Sequence, residues 1–524
     1  MRQRECLIVV LISVLMVGCH GAKNAGTGGA LRVNFAEAAK SPDARTLPAN
    51  HEVFDPGTEP AVPSRPTTGT RKQAATAPVA TPQALRIRPC DIAIFPCPFD
   101  GVAQNTFGSP PDPNAAVGAG DIVEVVNDQI QVTNRSGAVL CGGPITLQHL
   151  LGNTSDNLTD PRVQFDNVNQ RFSLSVTVSN PGASDTPAMH VAATETKDPC
   201  GSWFIYRLTF HGDAYPTGAF LDFPMLGQDQ NALLLSLRTC PKNDCSNPMF
   251  TVFGLPKSNI YSGQHVEFDA FPVDSLTAPV TNAGQPLIAS PVSFFLAAVP
   301  GTGYKLYRLT NSGGSGAIIS HETISDPFSK PSRSVNQPHA DSTIDPSDGN
   351  ITSFPYFDGT FIWFAHDADD DGFPTVRYGR VDPSKNTVET TFAFHSGSSD
   401  DFNPSIAVGF APSGEKVFLN WAFTDTPAGR ATTNVFAEGD ARQPLVQIAG
   451  PGTVDATGGV VTSATTGAVC DKNKQCRFGD FSSVSVDPGV AGCAFATQQY
   501  FATDGSWKTR ITPIGQCEQI VVHP

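Results

Sequence analysis

Asp401-Phe402-Asn403-Pro404-Ser405-Ile406-Ala407-Val408-Gly409 is an acidic turn that feeds a short apolar strand, and weaker copies of it recur along the chain. The copies are Asp112-Pro113-Asn114-Ala115-Ala116-Val117-Gly118, Asp160-Pro161-Arg162-Val163-Gln164-Phe165-Asp166, Asp222-Phe223-Pro224-Met225-Leu226-Gly227 and Asp480-Phe481-Ser482-Ser483-Val484-Ser485-Val486-Asp487. From Asp112 to Asp480 there are 368 positions. That is six steps of about 61 residues, a period that marks a repeat architecture with room for about seven units.

Working outward, each unit reads as short strands. Ile122 to Val126 and Ile130 to Thr133 are split by the turn residues Asn127-Asp128, which predicts a hairpin. The next unit runs Arg162 to Asp166, Arg171 to Val178, His190 to Thr194 and Trp203 to Phe210, a set of strands matching one propeller blade. Later units repeat the pattern, and Leu85 to Phe99 alternates like an outer strand that closes the ring against the last blade. Stacking small sheets radially buries both faces of each, whereas a flat sheet of so many strands would leave an unburied face. The reading is therefore all-β: a seven-bladed β-propeller of four-stranded antiparallel blades, with eight blades as the alternative count. A pair of β-sandwiches is the competing fold, and the period suits it poorly.

Composition agrees. The chain of 524 residues is 40% hydrophobic and only 16% charged, with 47 Gly and 44 Pro for tight turns. Its 34 basic and 49 acidic residues give a net charge of -15, which repels nucleic acid and anionic lipid. No nucleic-acid partner is expected, and a membrane is reached only through a lipid anchor.

Residues 1–18 read as a signal peptide: Arg2 and Arg4 precede the apolar run Leu7 to Val17, which is too short to span a bilayer. Leu15-Met16-Val17-Gly18-Cys19 resembles a bacterial lipobox, with Met16 where Leu is usual, and implies lipidation of Cys19. By the same resemblance His20 after it favours the outer membrane; simple secretion is the alternative. Residues 19–84 are rich in Ala, Pro and Thr and poor in aromatics, the composition of a disordered tether, so the folded domain is assigned to 85–524. Beyond Cys6 and Cys19 ten cysteines remain, an even number suited to disulfides in an oxidising compartment. One pairing among many joins Cys90 to Cys97, Cys141 to Cys200, Cys240 to Cys245, Cys470 to Cys476 and Cys493 to Cys517.

Pro110 to Asn114, Gly359 to His366, Asn403 to Val408 and Gly479 to Pro488 resemble runs in exported bacterial β-propeller proteins of uncharacterised function, sialidase-like by shape. The resemblance covers Pro110 to the C-terminus. Its motifs are structural, so it implies the fold and no catalytic residue.

Three sets of residues carry candidate chemistry. Asp367-Ala368-Asp369-Asp370-Asp371-Gly372 fits D-x-D-x-D-G, which sets oxygen donors at alternate positions around a hard cation, with Gly at the sharp turn. Calcium, held structurally, is the natural guest, and the Phe373 carbonyl and Thr375 would complete its shell. Tyr378 stands where an EF-hand needs Glu, so the loop is a strand hairpin, and a solvated acidic turn is the plainer alternative. If the units are equivalent, Asp112, Asp160, Asp222, Asp341, Asp401 and Asp480 converge at one mouth of the central channel. There they would raise one another's pKa or act as acid and base; the alternative is that each makes a turn with its own backbone. Arg333, His339, Asp341 and His366 form the densest mix of catalytic residue types and are the weak catalytic candidates. No nucleophile elbow, zincin helix or phosphate loop occurs.

The sequence leaves open whether the protein is an enzyme. The first expectation is a binding or interaction scaffold at the cell envelope, monomeric, with a glycan or an envelope protein as partner. The second is a carbohydrate-active hydrolase or lyase at the channel mouth.

Overall fold

The computed structural model describes residues 31–34, 39–40, 97–104, 110–179, 182, 185–212, 215–241, 245–282, 292–314, 316–411, 413–445, 453–457, 460, 470–471 and 473–517. The signal peptide, Cys19, Cys90 and the expected closing strand up to residue 96 lie outside them.

Seven sheets follow one another among the described residues, their strands running from inside to outside in chain order apart from strands added at an edge, and all are antiparallel except that Thr281–Asn282 lies parallel along the inner edge of the fifth. Their inner strands are Asn114–Val117, Leu158–Asp166, Phe220–Gln228, Ala278–Pro279, Tyr356–Phe357, Asp400–Ala411 and Ser483–Val486, which number blades 1 to 7. Two single-turn helices, Leu147–Leu150 and Lys257–Ile260, are the helical exceptions. No helix among the described residues is long and apolar enough to cross a membrane.

The chain forms blades because its strands bury both faces. Seven of the nine residues of Ile362–Asp370 are buried, for example, so a strand of this kind needs an apolar neighbour on each side. Each seam has one. Trp203 and Leu174 pack with Val125 between blades 1 and 2, Leu221 and Phe253 with Tyr206 between blades 2 and 3, and Phe295 with Leu234 between blades 3 and 4. Tyr304 packs with Phe364 between blades 4 and 5, Trp363 with Trp421 between blades 5 and 6, and Phe418 with Val484 between blades 6 and 7. Ala115 and Ile122 meet Phe495 and Ile511 between blades 7 and 1, which closes the circle.

Closure is also made by strand pairing. Phe99–Ala103 is the outermost strand of blade 7, antiparallel to Trp507–Gly515 with Phe99 opposite Ile511, so the start of the domain completes its last blade. Four of the expected disulfides are present, Cys141–Cys200, Cys240–Cys245, Cys470–Cys476 and Cys493–Cys517. Cys97 is disulfide-bonded as well.

Three features depart from the expectation. The repeat is regular only on average: the inner-strand step is 44 residues from Asn114 to Leu158 and 83 from Asp400 to Ser483. Two stretches of the expected tether, Leu31–Asn34 and Ala39–Lys40, pair with the outer strands of blades 3 and 2. Insertions after blades 4 and 6 build a further small sheet from Val335–Asn336, Thr343–Ile344 and Gln475–Cys476.

Glu124 of blade 1 sits at the closing seam. Its carboxylate accepts the Val102 N–H of the closing strand at 2.9 Å, and a Cβ at Gly101 would displace it. Burial pushes Glu124 up from 4.5 to about 7. The folded state therefore favours the protonated acid: it carries no penalty below pH 4.5, and stability is lost as pH rises through 7. Between pH 5 and 8 this group alone is expected to remove roughly 2 to 3 kcal/mol of unfolding free energy. Urea unfolding at the two pH values should show a fall that shrinks by about that amount in Glu124→Gln; an unchanged fall in the variant would exclude the assignment.

Candidate functional site

At three of its copies the recurring turn is a β-bulge. Asp112, Asp160, Phe223 and Asn403 have φ of 47°, 59°, 50° and 52°, and each precedes a proline. Proline cannot donate to the ladder, and the pairing slips between Thr159 and Arg162, Asp222 and Met225, and Phe402 and Ser405. Each such residue holds a left-handed conformation that costs about 1 to 3 kcal/mol, and in three of the four a neighbouring blade accepts its N–H. The Asp160 N–H donates to Asn127 Oδ1 of blade 1 at 2.8 Å, the Phe223 N–H to Asp160 Oδ2 of blade 2 at 3.1 Å, and the Asn403 N–H to Asp367 Oδ1 of blade 5 at 2.9 Å. Asp112 accepts the Asp480 N–H at 2.6 Å across the closing seam.

This geometry sorts the six expected channel-mouth carboxylates. Asp112, Asp160, Asp222 and Asp480 lie at one end of the channel near enough to act on one another. Burial, then Asp222, Asp112 and Asp480, hold the Asp160 carboxyl well above the usual range. Asp112 is raised by burial, against the opposing pull of Arg477 and of its hydrogen bonds. Asp222 is paired with Arg238, and Asp480 with Arg477. Asp401 and Asp341 do not join them. Asp401 is two residues ahead of the bulge and accepts from Trp421 Nε1, Ser399 Oγ and the His395 N–H. Asp341 stands exposed in the small sheet's loop, paired with Lys474, which lowers its pKa.

The carboxylate end is filled. Arg162, fully buried, crosses the channel with its guanidinium 3.3 Å from the Phe481 ring centre, Nη2 on the Thr352 carbonyl and 2.8 Å from Met225 Sδ. Burial brings its pKa down to about 9. At the same end the small sheet packs Val335 and Ile344 on Phe402, Phe478, Phe501 and Trp507.

The weak catalytic candidates are not brought together. Arg333 is held by Asp400 and by the Gly372 carbonyl, and His339 is exposed in a turn. His366 is fully buried between Tyr304 Oη at 2.9 Å and the Asp367 carbonyl at 2.8 Å, and burial drives its pKa down to about 3. The acidic hairpin is likewise used up locally. Asp367 accepts from Asn403 and Ser347 and is pushed by burial up to about 8. Asp369 accepts from Gly372 and Ser332, Asp371 occupies the exposed turn, and the Thr375 hydroxyl donates to the Phe373 carbonyl. Among the described residues the one metal-like group, Asp222 with Cys240 and Cys245, has its cysteines in a disulfide.

The opposite end of the channel is open. The far halves of the inner strands enclose a cavity of about 340 Å³. Its wall carries the amides of Gln164, Asn167, Gln228 and Asn282, the hydroxyls of Thr281 and Ser485, and the rings of Phe165, Phe354, Tyr356 and Phe410. Gln164 Nε2 donates to the Leu226 carbonyl and Thr281 Oγ1, and its Oε1 has no protein partner. The lining carboxylate, Asp487, is neutralised by Arg135 of blade 1. Tyr356 reaches across to the Val484 carbonyl at 3.1 Å. Phe410, 39% exposed, stands on the rim. None of these cavity residues was expected from the sequence; the signal present was a buried polar side chain, Gln164 or Gln228, inside an otherwise apolar inner strand.

No protein-family model and no curated relative matches the sequence. Among solved structures, the exo-β-1,3-galactanase of Phanerochaete chrysosporium aligns over 61% of this chain and 80% of its own at 13% identity and TM-score 0.31. Trypanosoma rangeli sialidase aligns over 68% of this chain and 54% of its own at 10% identity and TM-score 0.37. Penicillium chrysogenum α-L-arabinanase aligns over 81% and 99% at 7% identity and TM-score 0.38.

Because Asp367 and Asp369 already accept hydrogen bonds within the protein, the melting temperature is expected to be the same in EDTA and in millimolar calcium. A rise of several degrees with calcium would return a cation to Asp367, Asp369 and Asp371.

Proposed function

We propose that the chain is an exported binding propeller that takes a neutral, polyhydroxylated ligand, a glycan, in the open end of its channel. The observation that carries this reading is the cavity wall: carboxamides and hydroxyls beside aromatic rings, with its carboxylate already paired to Arg135. Such a wall has no free charge to hold an ion. Gln228 is already bonded to the Phe165 carbonyl and Lys257; the Asn167 amide and the Thr281 and Ser485 hydroxyls are the groups that meet a ligand's hydroxyls, and the rings give flat apolar faces for the C–H side of a sugar. Five disulfide-bonded cysteine sites, counting Cys97, support the exported setting. A lipid anchor at Cys19 would hold the propeller at the envelope.

A hydrolytic reading draws on Asp112 and Asp160, whose raised pKa values suit a general acid. It is the weaker one, because both carboxylates are buried, bonded to blade backbone and separated from the cavity by Arg162.

Glycan-array screening followed by calorimetry on the purified domain tests the proposal. Binding of a neutral oligosaccharide without turnover is expected. Phe410→Ala, a rim change that leaves the core intact, should weaken it about tenfold, the scale of a lost ring contact. Charged ligands alone binding, or turnover abolished by Asp160→Asn, would overturn it.

A further inference from the structure

We infer that the cavity is a dead end that accepts the terminus of a glycan chain and not its interior. This rests on the glycan reading of the cavity and adds to it the part of the ligand that is recognised. The lining residues stop half way along the inner strands: Val163, Gln164 and Phe165 face the cavity, while Arg162 does not. Beyond that level the channel is packed. Arg162 of blade 2 touches Met225 of blade 3, Thr352 beside blade 5 and Phe481 beside blade 7, so one side chain spans the bore. Phe354 lies on both sides of the division, lining the cavity and standing 5.6 Å from the Arg162 guanidinium, and forms the floor. A polymer cannot thread such a channel. The space of about 340 Å³ is at the small end of ligand pockets, so a chain enters by its end and the remainder leaves over the rim at Phe410.

Calorimetry with linear oligomers of one to six units of glucan, xylan, galactan and arabinan, each set against its parent polymer, tests this. For whichever series binds, affinity is expected to level off by the second or third unit. The stoichiometry should stay at one protein per chain, so that the protein bound per gram of polymer rises in proportion when the polymer is cut into more chains. Several proteins bound per uncut chain would overturn end recognition while leaving the glycan reading standing. Failure of every series to bind would remove both.

Discussion

Closure is the constraint on which the rest depends. A propeller blade buries both faces only if it has a neighbour on each side, and the apolar seams run without interruption from Val125 against Trp203 around to Ala115 against Phe495. What fixes the angle between blades is polar. The first amides of an inner strand leave the ladder at the bulge, and an unpaired buried N–H costs about 1 to 3 kcal/mol. Asn127, Asp160 and Asp367 accept such amides from the adjoining blades, the Phe223 N–H being shared with Asp222 of its own strand, and Asp112 accepts the Asp480 N–H ahead of the last inner strand, so these polar contacts are complete only when the neighbouring blade is in place.

The same requirement explains why conspicuous carboxylates proved to be architecture. Asp112 and Asp160 are protonation-shifted because they are buried in a seam, and burial that distorts a pKa is compatible with a purely structural duty. Arg162 completes this end by filling the bore with a guanidinium stacked on Phe481. One mouth is thereby committed to holding the wheel, and the other is left free for a ligand.

The repeat, the strand content and the local disulfides were legible in the sequence because turn chemistry is local: a residue that tolerates the left-handed region, then proline, then an apolar run. Phase was less legible. Aligning on Asp put Asp222 one residue and Asp401 two residues ahead of the bulge, since Phe223 and Asn403 occupy the left-handed position there. Asp341 was drawn in by an assumed even period, which the insertion carrying Val335–Asn336 and Thr343–Ile344 breaks. The D-x-D-x-D-G run had the right spacing for a cation, but alternate residues of a paired strand keep separate partners, and Asp367 belongs to the next blade's bulge. Which mouth is open depends on Arg162 meeting Thr352, 190 positions away, and no local pattern encodes that.

The bulges couple the blades into one cooperative unit. Native-state hydrogen exchange of the Asp160, Phe223, Asn403 and Asp480 amides measures this directly, because each is bonded to a different blade from its own. All four are expected to open with a single free energy, that of global unfolding. Four separate, lower values, one for each seam, would contradict it.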